Sequence, residues 1–295
     1  MTEFETIVNP PQEVFEEIVV LTSKTEDWAF QFGDYKFWST NFDQFWLVTI
    51  VEKDTKKLVA SVSLARWDGE DGPLYSIGMY YCVQKFRGKG DSNATLTGVV
   101  KMSEKYAKDF GFDKVPEYWQ IFSSLKMENV IIPEINQSKF TTKHWSEVDY
   151  EALTDYDRTI CVRDRKKLMT AWFNLPDTFS RVVLGESGKI VGYGTIRHVW
   201  KNKLSSAPFY ADSLEAAELL LHDLLKNIPQ WEKYDSIGFL YPECNKDPLA
   251  LLEKFAKRKE LISTAPFVKS QFTKKLIPTP TEKIYSLCDC AHQFV

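Results

Sequence analysis

An apolar strand that runs into a basic, glycine-containing loop is the feature that most constrains how this chain can fold. The strand pattern covers 74–83, the loop ends near Ser92, and apolar residues recur at helical spacing from Ala94 to Phe110. Gly111 then provides a helix C-cap. Because the start of a helix carries unpaired N–H donors and the positive end of the helix dipole, this order predicts a seat for phosphate. The sequence therefore predicts a phosphate-bearing cofactor whose other end lies along the strand.

The loop residues favour the same site. Gly88 and Gly90 permit positive φ and a close approach of the backbone, and Arg87 and Lys89 add positive charge. Asp91 opposes a diphosphate electrostatically and is also suited to cap the helix. A simple surface turn would show the same four-residue string, so the context decides. That context is a predicted hairpin directly before the loop, with strands 45–51 and 57–67.

Composition excludes several classes of protein. The chain has 295 residues, 44% of them hydrophobic, which is enough for two ordinary domains with full cores. A net charge of −4 gives no support for nucleic-acid binding. No apolar run approaches the roughly 18 residues of a membrane span, and the N-terminus lacks signal-peptide features. Five cysteines, an odd count without framework spacing, fit a reducing compartment. These observations predict a soluble, cytoplasmic protein without a nucleic-acid or membrane partner, and they leave the oligomeric state open.

No metal site or hydrolase site is predicted. Cys288 and Cys290 lack a second Cys or His pair at ligand spacing, and the four histidines are scattered along the chain. The sequence contains no Gly-x-Ser-x-Gly elbow for a nucleophilic serine. Charge-rich stretches at 164–167 and 254–259 are interpreted as solvated helix faces.

The second half of the chain repeats the first. A hairpin is predicted over 179–200 with its turn at Ser187-Gly188, and an amphipathic helix follows the cap residues Asp212 and Ser213. Further strands are predicted at 235–241, 267–272 and 284–287. The chain thus reads as two copies of one α/β module, with predicted domains 1–140 and 141–295.

The loop also resembles a known family. Arg87-Gly88-Lys89-Gly90-Asp91-Ser92 is similar to the (Arg/Gln)-x-x-Gly-x-(Gly/Ala) segment of the GNAT superfamily, the Gcn5-related N-acetyltransferases, and departs from it at Asp91 and Ser92. The segment 208–212 resembles Pro-Leu-Tyr-Ala-Asp in the C-terminal domain of tandem GNAT proteins. The resemblance implies two α/β (α+β) modules, each with a mixed, mainly antiparallel sheet flanked by helices. The second module is the degenerate copy.

The same resemblance implies the site residues. Acetyl-CoA, as co-substrate, is expected on the N-terminal module, with its pantetheine arm along the strand and its diphosphate on the loop amides. The cofactor-binding residues implied are Tyr81, Cys82, Val83, Arg87, Gly88, Lys89, Gly90, Asp91 and Ser92. A backbone N–H of 80–82 is expected to polarise the thioester carbonyl, and Tyr80 is the candidate catalytic residue. Glu70 and Asp71 are possible bases, while Asn245 resembles the asparagine that follows the corresponding GNAT strand or simply caps a turn.

The acceptor is expected near the aromatic segment 27–38. Its rings form either an aromatic box for a small amine, with Asp34 and Asp43 pairing an ammonium, or ordinary helix-to-sheet packing. The predicted function is an acetyl-CoA-dependent N-acyltransferase acting on the amine of a small molecule. The alternatives are a catalytically silent acyl-CoA-binding or sensing protein and, with less support, a protein-modifying acetyltransferase. No counterpart is evident for the GNAT tyrosine that follows the strand at 118–125.

Overall fold

The computed structural model describes residues 3–25, 28–69, 72–81, 93–135, 138–161 and 163–289. These residues form thirteen β-strands and seven α-helices. They divide into two compact units, the first comprising 3–116 with 269–276 and the second 117–268 with 277–289. The predicted domains, 1–140 and 141–295, refer to the two sequence modules and stay a prediction.

The first unit is a mixed sheet flanked by helices. Its strands are β1 (Phe4–Val8), β2 (Gln44–Glu52), β3 (Leu58–Trp67), β4 (Leu74–Tyr81) and β5 (Asn93–Val99). Its helices are α1 (Gln12–Thr25), α2 (Asp34–Asn41) and α3 (Val100–Phe110). The strands β1 to β4 pair antiparallel in chain order, and β5 pairs parallel with β4. Alternate residues of β2 are buried, as expected for a strand with one face on a core.

The predicted first hairpin is confirmed, because β2 and β3 pair from Gln44↔Arg66 to Val51↔Leu58. The helix predicted to follow the loop directly is wrong over 93–99, which form β5, and α3 begins only at Val100. Two threonines and a valine within these seven residues favour a strand, since β-branched side chains fit a pleated surface better than a helix. The predicted C-cap is confirmed at Gly111, which has φ 74°.

The second unit repeats the architecture. Its strands are β6 (Gln120–Lys126), β7 (Thr141–His144), β8 (Thr178–Leu184), β9 (Ile190–Val199), β10 (Lys203–Ala211), β11 (Ser236–Pro242), β12 (Ser263–Phe272) and β13 (Ile284–Ser286). Its helices are α4 (Tyr150–Arg158), α5 (Lys166–Phe173), α6 (Leu214–Asn227) and α7 (Asp247–Phe255). The sheet order is β12-β6-β11-β10-β9-β8-β7, and β13 pairs with β10. The last four residues of β12 belong to the first unit.

Local sequence signals account for most of this unit. The turn of the β8–β9 hairpin contains Gly188 at φ 76°, and α6 begins where the hydroxyl of Ser213 accepts from the Ala216 N–H at 3.2 Å. Leu220 and Leu224 lie on the buried stripe of α6. The strand predicted over 118–125 is present as β6, which pairs with β11 and with β12. The fold class is therefore confirmed: two α/β modules built on mainly antiparallel sheets flanked by helices.

Candidate functional site

A β-bulge distorts β4 of the first unit close to the predicted site. Ser63 faces Gly78 on β4 and Ser61 faces Tyr81, so two steps along β3 match three steps along β4. Met79 takes up the extra residue at φ 47°, and the Ser61 hydroxyl donates to its carbonyl at 3.0 Å. Such a bulge bends a strand and redirects the backbone groups next to it.

The strand β4 also leaves its parallel neighbour at this point. The described ladder between β4 and β5 runs from Leu74↔Asn93 to Ile77↔Leu96. The last four residues of β4, 78–81, lie beyond that ladder and include the bulge. A bulge followed by a splay presents backbone N–H and C=O groups at a strand edge, where an extended ligand with amide groups can pair.

The bulge places Tyr80 on the same side as Ile77. The Tyr80 ring packs edge-to-face against Tyr106 of α3, with 5.9 Å between ring centroids. Both Ile77 and Tyr80 are half-buried against the small core cluster of Leu96, Tyr106 and Phe112. The structure therefore shows an aromatic packing role for Tyr80 and leaves its catalytic role as a prediction.

Most of the predicted cofactor-binding residues lie outside the part of the chain that the structure describes. The structure gives the backbone of Tyr81 as the end of β4, whereas residues 82–92 lie outside the described ranges, as do Glu70 and Asp71. The cofactor residues from Cys82 to Ser92 therefore stay predictions. The predicted helix does not begin at the end of this loop, because β5 lies between residue 92 and α3.

The aromatic segment before the first hairpin serves mainly as core. Trp38 is fully buried, with ring centroids of Phe15, Phe30 and Phe45 at 5.7, 5.7 and 6.0 Å. These contacts support the packing interpretation of the segment over an open aromatic box.

The two acidic residues of that region bind backbone groups. The Asp34 carboxylate is buried and accepts from the Gln31 N–H at 2.9 Å. The Asp43 carboxylate accepts from the Asp68 N–H at 2.8 Å. Both carboxylates thus fix turns in the backbone, and these contacts do not favour pairing with an ammonium.

Sequence reasoning missed a buried charge cluster in the second unit. Arg165 donates to both carboxylate oxygens of Asp157, at 2.8 and 2.7 Å, and the Tyr193 hydroxyl also donates to that carboxylate. Tyr210 lies beneath the guanidinium, with its hydroxyl 3.3 Å from Nη2. Burial alone would lower the pKa of Arg165, but the charge of Asp157 outweighs this and holds that pKa well above its ordinary value.

The prediction that 164–167 forms a solvated face is therefore wrong for Arg165, which is only 3% exposed. Its neighbours Asp164 and Lys166 are exposed and form surface ion pairs, so the local charge pattern gave no sign of a buried arginine. The sequence did carry a weak signal, namely tyrosines within the two apolar strands β9 and β10, whose hydroxyls need polar partners when buried.

Burial leaves two thiols of this unit unreactive. It raises the pKa of both Cys161 and Cys288, so each stays a protonated thiol at neutral pH. Within the described ranges, His, Cys, Asp and Glu side chains form no group of three or more placed to hold a metal ion. Among the same residues, each helix falls short of the length and apolarity that a membrane span requires.

One part of the chain matches a known protein family. Residues 153–261 match the family model of the acetyltransferase (GNAT) domain. This match confirms the predicted resemblance to the GNAT superfamily over these residues. The match supports an acyltransferase and lies in the second unit. Comparison with curated proteins gives no match.

Solved structures share the fold over nearly the whole chain. A proposed acetyltransferase from Pyrococcus horikoshii is 15% identical with a TM-score of 0.66, covering 97% of this chain and 95% of that one. A tandem GNAT protein from the clavulanic acid biosynthesis pathway is 11% identical with a TM-score of 0.59, covering 92% and 97%. The N-myristoyltransferase of Saccharomyces cerevisiae, solved with bound myristoyl-CoA, is 14% identical with a TM-score of 0.56, covering 97% and 85%.

Proposed function

We propose that the protein is an acetyl-CoA-dependent N-acyltransferase that acetylates the amine of a small molecule, with the acyl-CoA bound to the first unit. The GNAT domain and the tandem GNAT fold support acyl transfer from a coenzyme A thioester. The yeast structure with myristoyl-CoA supports an acyl-CoA on this fold. The acetyl group and the small amine are more specific than the acyl transfer that these comparisons support, and binding and thiol-release assays test them.

The observation that carries the proposal is the end of β4. Its residues 78–81 bulge and leave the ladder with β5, and they lead directly into the glycine-containing basic segment 82–92. A pantetheine arm contains amide groups that can pair with such a strand edge, as an added β-strand would. The loop composition then suits the diphosphate, because glycines let backbone N–H groups approach and Arg87 and Lys89 supply charge.

The chemistry needs few groups from the protein. The thioester supplies the activated acetyl group; the amine forms a bond to the carbonyl carbon while the carbon–sulfur bond breaks. A backbone N–H near the bulge would stabilise the oxygen that gains negative charge. The ammonium must lose one proton before attack, the nitrogen loses a second proton as the amide forms, and the thiolate gains one, so a base and an acid are required. We assign Tyr80, the catalytic candidate on β4, to one of these two proton-transfer roles.

Calorimetric titration with acetyl-CoA tests the site. We expect saturable binding by the full chain and its loss in Gly90→Leu, because a side chain at Gly90 would block the approach of the diphosphate. The matched control is Gly33→Leu, since a Cβ at Gly33 meets no heavy atom within 4 Å. Equal affinity in Gly90→Leu and the parent chain would remove the loop from the site.

A second assay separates the enzyme from the silent alternative. Thiol release from acetyl-CoA is measured over a panel of small amines and amino sugars. Release that depends on one amine supports the transferase. Binding without amine-dependent release would instead support an acyl-CoA sensor.

A further inference from the structure

The second unit has a splay of its own, between β10 and β11. These strands pair parallel only at Leu204↔Ile237 and Ser205↔Gly238. Just beyond, the register of β10 against β9 shifts between Ser206 and Phe209. The second module thus repeats the bulge and the splay that mark β4 in the first, and by the same reasoning it would offer a groove for an acyl-CoA.

The chain's own strand β13 lies in that groove. On one side it pairs with β10, where Phe209 faces Ser286 and Tyr210 faces Ile284. On the other side the Leu287 N–H donates to the Leu240 carbonyl of β11 at 2.7 Å. Both edges of the splay are therefore engaged by peptide groups of the same chain.

The Ser286 hydroxyl joins the two edges. It donates to the Ser206 carbonyl of β10 and accepts from the Leu240 N–H of β11 at 3.0 Å. The three residues of β13 are fully buried. Because the backbone and side chains of β13 fill the space between the strands, a pantetheine arm could enter only by displacing them.

The Asn245 side chain binds the backbone of the segment that leads into β13. Its side-chain amide donates to the carbonyls of Thr281 and Ile284 at 3.0 Å each, and to that of Glu282 at 3.3 Å. Its side-chain oxygen accepts from the Asp247 N–H at 3.1 Å. The residue that the sequence offered either as a GNAT-type asparagine or as a turn cap thus binds peptide carbonyls of this chain.

Side chains of this chain also occupy the start of α6, where a diphosphate would bind in this module. The Ser213 hydroxyl caps the helix, and the Asp212 carboxylate before it pairs with Lys283 at 3.0 Å and accepts from Tyr156 at 3.1 Å. A carboxylate at a helix start already satisfies the local positive potential and repels a second anion. The residues present therefore do not fit an acyl-CoA.

We infer that residues 281–288 are a built-in occupant of the second module's acyl-CoA groove, so that this module binds no acyl-CoA. The inference rests on the proposed function in one respect, that the single remaining site is the one in the first unit. The occupied groove itself is a property of the second unit alone.

Hydrogen exchange of the full chain, followed by mass spectrometry on peptides covering 281–289, tests the inference. We expect the amides of 284–287 to exchange at least about a thousandfold more slowly than in an unstructured peptide, with and without saturating acetyl-CoA. In Asn245→Ala we expect about tenfold faster exchange, because bonds to three carbonyls are lost. The control Asn227→Ala removes an exposed amide-to-carbonyl bond at the end of α6 and should leave 284–287 unchanged.

Calorimetric stoichiometry on the same protein separates the possible failures. One acetyl-CoA per chain with 284–287 protected supports both the inference and the proposed function. No binding with 284–287 protected supports the filled groove and refutes the proposed function. Two acetyl-CoA per chain, loss of protection when acetyl-CoA is added, or fast exchange in the free protein would each overturn the inference.

Discussion

Removing the charge of Arg165 is predicted to destabilise the second unit strongly, because it leaves a buried carboxylate without its partner. The guanidinium supplies two hydrogen bonds to Asp157, from Nε and Nη2. Only 1% of the Arg165 side chain and 9% of the Asp157 side chain are exposed. Water therefore has little access to replace the lost donors.

The magnitude follows from what remains around Asp157. Breaking one side of a buried ion pair costs about 3–5 kcal/mol. In Arg165→Met the Tyr193 hydroxyl still donates to the carboxylate, so we expect the lower end, about 3 kcal/mol. The double variant Asp157→Leu/Arg165→Met removes both charges and leaves the hydroxyls of Tyr193 and Tyr210 without these partners. At roughly 1 kcal/mol for each hydroxyl, its loss should be about 2 kcal/mol.

Urea denaturation followed by circular dichroism and tryptophan fluorescence gives the free energies of unfolding. The control is Arg158→Met on α4, the helix that carries Asp157. The Arg158 side chain is 45% exposed and pairs with Asp155 at 2.8 Å and with Asp164 at 3.2 Å, whose side chains are 72% and 61% exposed. Water and salt already screen both pairs, so their loss should change stability far less. The single variant Asp157→Leu completes the comparison. If the double variant lost as much stability as Asp157→Leu and Arg165→Met added together, the two charges would not be coupled and the reasoning would be refuted.

Two further predictions concern the same unit. Gly192→Ala should lower the free energy of unfolding by about 1–3 kcal/mol, because its Cβ would lie 2.8 Å from the backbone carbonyl oxygen of Tyr210. The control Gly238→Ala should lower it less, because its Cβ would meet the partly exposed ring of Phe122. A larger loss of stability in Gly238→Ala than in Gly192→Ala, measured by urea denaturation, would contradict this prediction. Burial lowers the pKa of His222 below its usual 6.5 in the folded chain, so protons bind the unfolded chain more tightly and stability falls as the pH drops below about 6.5. His222→Gln should therefore lose less stability than the parent chain between pH 7 and about 5, as measured by the urea midpoint, and identical profiles would speak against a role for His222.

Local sequence patterns predicted much of the fold. Both hairpins, the stripe of α6 and the strand β11 follow from alternation, helical spacing and turn residues, each read within about 20 residues of chain. The site could be predicted only up to the strand that carries it. The bulge at Met79 depends on how β4 registers against β3, and no residue of β4 reveals that register by itself.

What the sequence determined is thus the set of elements and their repetition, since periodicity and turn chemistry depend on neighbouring residues. Tertiary structure decided that Arg165 is buried and that β13 lies between β10 and β11. Each of these outcomes depends on partners far away in the chain, such as the contact between Ser286 and the Ser206 carbonyl, 80 residues apart. Burial and pairing energies of such distant contacts outweigh local propensity, and for that reason they could be read only from the folded chain.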